Sequence, residues 1–355
     1  MRVLFDGYWW ADGPAANRTV QREIVLAWLR CFPGDAVAIA IRRGAEVSDL
    51  PPGVRPLPTR LWPHGLSNLL ELHGRGADLV VSHNFAPLGG PAAVFVHDAM
   101  FVDHPEWFTR KERLYFAGML PSARRATVVA TSTRTEADRI ERLAPGLAPV
   151  AAIGLGPTPA IVGAAPSRPA VAEGLRDFAL TVGRLNVRKN LAAAIAAAGV
   201  SARISAASPL VVVGSSAHSG VHGDLEQALA ALPDPAAVRI AGRLTDAEIA
   251  WLYRETSLAI SLSRDEGFGL TPLEALALDA PLLVSDIPVH RETMAAAAHF
   301  VAADASPSSL GAAVDAAWGE RADPATRQAS LARWTWDGVA RRLRESCANA
   351  GIGIS

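Results

Sequence analysis

The sequence predicts an α/β protein built of two tandem doubly wound domains, each a parallel sheet flanked by helices. Three observations predict it. Short apolar runs alternate with helical patterns along the chain, the signature of βα units. At 355 residues the chain exceeds the roughly 250–300 residues at which one core stops growing. A stretch rich in proline, glycine and alanine at 154–169 interrupts the rhythm once and reads as an interdomain linker.

Taken in order, the first half carries strands near 3–8, 36–41, 78–82, 92–97, 127–131 and 149–153. Between them, 19–30 reads as a helix with Val20, Ile24, Ala27 and Trp28 on one apolar face. Another helix starts at Thr133, where Glu136 three residues on completes a capping-box pattern. After the linker come strands near 178–182, 210–213, 238–241, 258–262, 281–285 and 299–301, with three helices at the end. Ligands of such sheets bind beyond the carboxyl ends of the strands.

Composition removes several classes. Net charge is −1, so the strongly basic balance of a nucleic-acid binder is missing. Cys31 and Cys347 have neither metal-ligand spacing nor a disulfide framework, which fits a reducing compartment. The longest apolar stretch, 191–202, is shorter than the ~20 residues that cross a bilayer. The opening residues read as a strand and not as a signal peptide. A cytoplasmic protein is the expectation.

The predicted strand 178–182 runs into Gly183-Arg184-Leu185-Asn186-Val187-Arg188-Lys189-Asn190, with Asn190 expected to cap the alanine-rich helix that follows. A helix N-terminus carries about half a positive charge and repels cations. Three cations crowded before one call for an anion, and phosphate is the natural candidate. Only two lysines occur in the chain, Lys111 and Lys189, so lysine at 189 suggests a need for a compact ammonium. The plainer reading is a set of solvated loop cations.

The predicted strand 258–262 leads into Asp265-Glu266-Gly267-Phe268-Gly269-Leu270-Thr271-Pro272-Leu273-Glu274. Gly267 and Gly269 let backbone approach a ligand closely. Thr271, Pro272 and Glu274 read as a capping box, a structural reason for Glu274. Glu266 has no such reason. It reads either as a solvated loop acid or as a carboxylate for sugar hydroxyls or developing positive charge.

The stretch from Glu266 to Glu274 resembles the two-glutamate motif of glycosyltransferase family 4, and Gly183-Arg184 with Lys189-Asn190 resembles its phosphate loop. The stretches 238–244 and 285–293 are similar to family members too. His97-Asp98 and His104-Pro105-Glu106-Trp107-Phe108 look like the bacterial mannosyl- and rhamnosyltransferase branch. The resemblance implies two Rossmann-like domains facing a cleft (glycosyltransferase type B), a nucleotide-sugar donor, and retention of anomeric configuration. It implies that Arg184 and Lys189 hold the donor diphosphate, Glu266 the transferred sugar and Glu274 the ribose. Gly183, Gly267, Phe268, Gly269 and Leu270 would line the donor, and His97 would face its sugar. Gly13 stands where the family has a glycine-rich first loop, although Pro14 removes one backbone donor. Asp265 stands where the family often has an aromatic residue.

The expected division is 1–165 on the acceptor side, 166–335 on the donor side, and a C-terminal helix within 336–355 packing back on the first domain. The expected reaction moves a hexose or deoxyhexose, mannose or rhamnose, from a GDP- or dTDP-linked donor to a glycan or lipid-linked acceptor of surface polysaccharide. No cofactor or metal is expected, because no Asp-x-Asp pair occurs and side-chain cations take its place. Arg110, Lys111, Arg113, Arg124 and Arg125 read as a solvated helix face, or as a contact with an anionic membrane or lipid diphosphate at the inner membrane face. The rival functions are a nucleotide-sugar epimerase of similar fold and a non-catalytic nucleotide-sugar-binding subunit.

Overall fold

The computed structural model describes residues 1–147, 149–214 and 225–353, which form two compact α/β units. Unit 1 comprises Met1–Pro105, Arg110–Leu155 and Trp334–Ser355, and unit 2 comprises Glu106–Thr109 and Gly156–Arg333.

Unit 1 is a parallel sheet of β1 (Arg2–Asp6), β2 (Ala36–Arg42), β3 (Arg55–Thr59), β4 (Leu79–His83), β5 (Ala92–Phe95), β6 (Val128–Thr131) and β7 (Val150–Ala152). Their order is β3-β2-β1-β4-β5-β6-β7, so the chain reverses direction across the sheet between β1 and β4. Residues Leu79 to His83 of β4 are buried throughout, as in a strand covered on both faces. The sequence reading missed β3, which carries Pro56 and Pro58. Those prolines alternate along an edge strand, so their missing donors fall on the side away from β2, while Thr59 O accepts from Arg43 N.

The helix Ala15–Cys31 buries Val20, Ile24, Ala27 and Trp28 together with Gln21 and Val25. Along it packs the helix Trp336–Asn349, which buries Trp336, Val339, Ala340, Leu343 and Cys347 at helical spacing. Ion pairs Arg30–Asp337 (2.7 Å) and Arg344–Asp35 (2.6 Å) flank that contact. The last two residues of 336–355 lie outside the described ones. On the helix Arg110–Phe116, which carries Arg110, Lys111 and Arg113, no residue is buried and Leu114 is 81% exposed.

Unit 2 repeats the plan with β8 (Ala179–Val182), β9 (Leu210–Val213), β10 (Val238–Gly242), β11 (Leu258–Ser261), β12 (Leu282–Ser285) and β13 (His299–Val301). The order β10-β9-β8-β11-β12-β13 puts its reversal between β8 and β11. Its core joins Ala194, Ile195, Leu210, Val212, Leu258, Ile260 and Val314, small and branched side chains that let helix approach sheet closely.

The stretch 154–169 is not a free linker. Gly154 takes a left-handed φ of 77°, and a Cβ there would lie 3.1 Å from the Trp334 ring. Beyond it the short helix Pro159–Val162 packs on the helices Asp246–Glu255 and Leu270–Ala277, and Ser167 N donates to Ala247 O. The compact units divide after Leu155 and after Arg333, where the expected boundaries are 165 and 335; residues from Gly156 to Arg333 belong to unit 2. Among the described residues, no helix is long and apolar enough to cross a membrane.

Candidate functional site

The two motifs of unit 2 meet at its topological switch point, where ligands of doubly wound sheets bind. Gly183 follows β8 with φ 157°, and a Cβ on it would lie 3.4 Å from Lys189 Cε, so its backbone runs against the lysine stem. Gly214, after β9, was not singled out in the sequence. A Cβ there would stand 1.8 Å from Gly183 O, so only glycine fits beneath the loop. Asn190 does not cap the following helix, Leu191–Ala198. It takes a left-handed φ of 51°, which asparagine tolerates, and makes no side-chain cap bond. Asn186 caps instead, its Oδ1 accepting from Lys189 N at 3.2 Å within the turn Val187–Lys189.

The anion that meets these cations is Glu266. Lys189 Nζ donates to its Oε1 at 2.6 Å and Arg188 Nη1 to its Oε2 at 2.5 Å. Ser263 Oγ also donates to Oε1, at 2.7 Å, and Asp265 Oδ1 orders the turn by accepting from Glu266 N at 2.8 Å. Glu266 is buried, which overturns the solvated-acid reading: the long-range pairing across residues 188–266 takes it out of water. Burial alone would raise its carboxyl, but Arg188 and Lys189 hold it well below the carboxylate range. Lys189 is lowered by burial, against the pull of Glu266, with Arg188 and Arg184 adding to the lowering. Arg184 is half-buried and near enough to Lys189 to act on it. Of the about four acceptor sites of a carboxylate, these donors use three.

Glu274 is not a capping residue. The helix Leu270–Ala277 is capped by Gly269, whose left-handed φ of 88° starts the helix two residues ahead of Thr271. Glu274 instead accepts from Thr158 Oγ1 at 2.5 Å. Gly267, Phe268 and Gly269 are buried in the same loop, and Leu270 opens the helix.

Burial pushes the Glu274 carboxyl up to about 7 from its ordinary 4.5, although Thr158 and Lys189 pull it down. Between about pH 4.5 and 7 the folded protein keeps a proton that the unfolded chain has released. Stability therefore falls as pH rises through that window, by up to about 1.4 kcal/mol per unit. Glu274→Gln should flatten this fall, melting close to the parent near pH 5 and above it near pH 8. Parallel melting profiles for parent and variant would show that Glu274 is an ordinary carboxylate.

In unit 1, His97 follows β5, with its N–H donating to Asn84 Oδ1 at 3.1 Å and its ring 5.4 Å from that of His83. Its Nε2 and the Nδ1 of His83 are buried without a hydrogen-bond partner among the described residues. Burial lowers both rings, His83 to about 4, so both are neutral at neutral pH. Asp6, at the end of β1, anchors this region by accepting from His64 Nε2 (2.8 Å), Asn68 Nδ2 (2.9 Å) and Tyr8 N (3.0 Å). Gly13 has φ 130°, and a Cβ there would strike the Trp9 ring at 2.3 Å, a packing reason for this glycine. Pro14 occupies the N-cap position of the helix Ala15–Cys31.

Residues 168–329 match the family model for glycosyl transferases group 1. That segment is similar to the glycosyl transferases group 1. It contains the loop 183–190 and the motif 266–274. In fold, the chain is similar to sucrose-phosphate synthase from Thermosynechococcus elongatus, with a TM-score of 0.71 and 16% identity over 97% of this chain and 98% of that one. It is also similar to HepE from Anabaena in a structure with UDP and glucose, with a TM-score of 0.68 and 15% identity over 98% of this chain and 100% of that one. A stretch of 57 residues is 42% identical to the O-antigen chain mannosyltransferase RfbU of Salmonella typhimurium. It spans 16% of this chain and 16% of that relative. The fold is two Rossmann-like domains of the glycosyltransferase type B.

In unit 2, the sequence reading left Arg188, Ser263 and Thr158 out of the site. Arg188 was visible as one of three crowded cations. Its pairing with Glu266, 78 residues away, carries no local signal. Asp6, His64 and His83 were missed in unit 1, since Asp6 and His83 at strand ends and His64 at the start of the helix His64–Glu71 come together only in the packed fold.

Proposed function

We propose that the protein is a retaining, metal-independent glycosyltransferase whose second unit holds a nucleotide-sugar donor. The observation that carries this reading is the Arg188–Glu266–Lys189 cluster at the β8/β11 switch point, inside the group 1 segment. Lys189 and Arg184 offer cations to a diphosphate, which must accept negative charge as it leaves. The bond between sugar and phosphate breaks and one between the sugar and the acceptor oxygen forms. The acceptor hydroxyl gives up its proton and the nucleoside diphosphate departs. Glu266 is assigned to a sugar hydroxyl and Glu274 to the ribose. His97, neutral with a bare buried Nε2, is assigned to the transferred sugar.

The mannosyltransferase likeness over 57 residues supports mannose or a related hexose or deoxyhexose, carried by GDP or dTDP, and a role in surface polysaccharide assembly. UDP-linked donors enter the same test, since HepE was solved with UDP and glucose. Thermal-shift titration with nucleoside diphosphates and their sugars selects the donor, because preferential binding raises stability by mass action. With that donor, diphosphate release should depend on a glycan or lipid-linked acceptor and should persist in excess EDTA. Donor turnover without acceptor would favour an epimerase. Activity lost in EDTA and restored by magnesium or manganese would overturn metal independence.

The helix Arg110–Phe116 is assigned to the lipid side of the acceptor, because it carries three cations together with the exposed Leu114. Neutralising Arg110, Lys111 and Arg113 together should lower sedimentation with anionic vesicles at low salt and leave donor binding intact. Equal sedimentation of variant and parent would retire that assignment.

A further inference from the structure

Behind the Glu266 loop lies His290, on the helix Pro288–Met294 and fully buried. Its hydrogen bonds fix which ring nitrogen carries the proton. Ser285 Oγ donates its single proton to Ser263 O at 2.5 Å. Ser285 Oγ therefore has no proton to give Nδ1, which lies 3.2 Å away. Nδ1 lies 3.0 Å from Ser285 O, an atom that only accepts, so Nδ1 carries the proton and donates. In the neutral ring, Nε2 is then a bare acceptor. Burial lowers the pKa of the ring against the opposing charge of Glu266, which keeps it neutral at neutral pH.

That Nε2 is buried and has no hydrogen-bond partner among the described residues. Such an atom carries a desolvation cost that a partner would recover. It lies beside Gly269, where a Cβ would stand 3.5 Å away, so the backbone of the Glu266 loop runs next to this nitrogen. Gly269 closes the loop that holds Glu266 and starts the helix bearing Glu274. A lone pair repels a phosphate oxygen and attracts a hydroxyl. Among the groups of a nucleotide sugar, hydroxyls of the sugar and of the ribose qualify. Gly269 lies three residues from Glu266, whereas Glu274 sits one turn further into the helix, and this favours the sugar.

We propose that His290 is a specificity-determining residue whose Nε2 accepts a hydrogen bond from a hydroxyl of the transferred sugar. Its orientation is set by Ser285, which also ties β12 to Ser263 of the loop. The inference rests on the nucleotide-sugar reading above.

The test is calorimetric titration of parent, His290→Phe and His290→Gln with UDP and UDP-glucose, GDP and GDP-mannose, and dTDP and dTDP-rhamnose. Phenylalanine keeps the volume and removes the acceptor, while glutamine places an amide near the position of Nε2. For the pair that the parent binds best, His290→Phe should bind the free diphosphate within about twofold of the parent. It should bind the sugar-bearing form about tenfold more weakly, the scale of one hydrogen bond to a buried acceptor. His290→Gln should recover most of that loss. No loss in either variant, equal loss for diphosphate and sugar nucleotide, or identical behaviour of the two variants would overturn the role of His290 alone. A parent that binds none of the six ligands would instead overturn the nucleotide-sugar reading itself.

Discussion

Lys189→Ala should lower turnover at saturating donor by about 2–4 kcal/mol of barrier, the scale of removing one preorganised charge from a developing anion. The reason is position as well as charge. The lysine stem runs against Gly183 and the ammonium is held on Glu266, with the side chain only 14% exposed. The fold should suffer less than the chemistry, because Glu266 keeps Arg188 and Ser263 as partners. Initial rates at saturating donor, read beside melting curves, check this. Unchanged turnover would remove Lys189 from the leaving-group site.

Glu266→Ala should destabilise the folded protein by about 3 kcal/mol, the lower end of the cost of breaking a buried ion pair. The lower end applies because Arg188 and Lys189 keep 20% and 14% of their side chains exposed. A solvated loop acid would instead have changed stability by about 0.5 kcal/mol or less. The difference arises because the variant leaves two cations facing one another without the carboxylate between them. Denaturant midpoints of parent and variant separate the two outcomes, and a nucleoside diphosphate should restore part of the loss by replacing the missing anion.

The same comparison shows what is legible in this chain. Buried parallel strands such as β4 and β9 are short apolar runs, so they stand out without any tertiary information. Edge strand β3 does not, because Pro56 and Pro58 argue against a strand everywhere except at an edge, and edges are defined only by the assembled sheet. The need for an anion near Lys189 was legible in the crowding of like charges. That the protein supplies Glu266 as that anion was not, since the two positions are joined only by the β8/β11 neighbourhood. Thr271 and Glu274 have capping-box spacing, yet Gly269 starts the helix earlier through a backbone conformation that side-chain spacing does not report. His290 showed no chemical signal at all. Its bare Nε2 follows from Ser285 and Ser263 hydrogen bonds that only the packed fold brings together.

The central claim is that unit 2 holds a diphosphate on Lys189 and Arg184 and a sugar on Glu266. The most direct measurement is calorimetric titration of Glu266→Gln with a nucleoside diphosphate and with the matching nucleotide sugar, beside Lys189→Ala. Glutamine keeps the shape and removes the charge that competes for the cations. The account predicts that Glu266→Gln binds the free diphosphate at least as tightly as the parent, binds the nucleotide sugar more weakly, and does not transfer it. If Glu266→Gln loses affinity for the free diphosphate as severely as Lys189→Ala does, Glu266 organises the phosphate site and its contact with the sugar is contradicted.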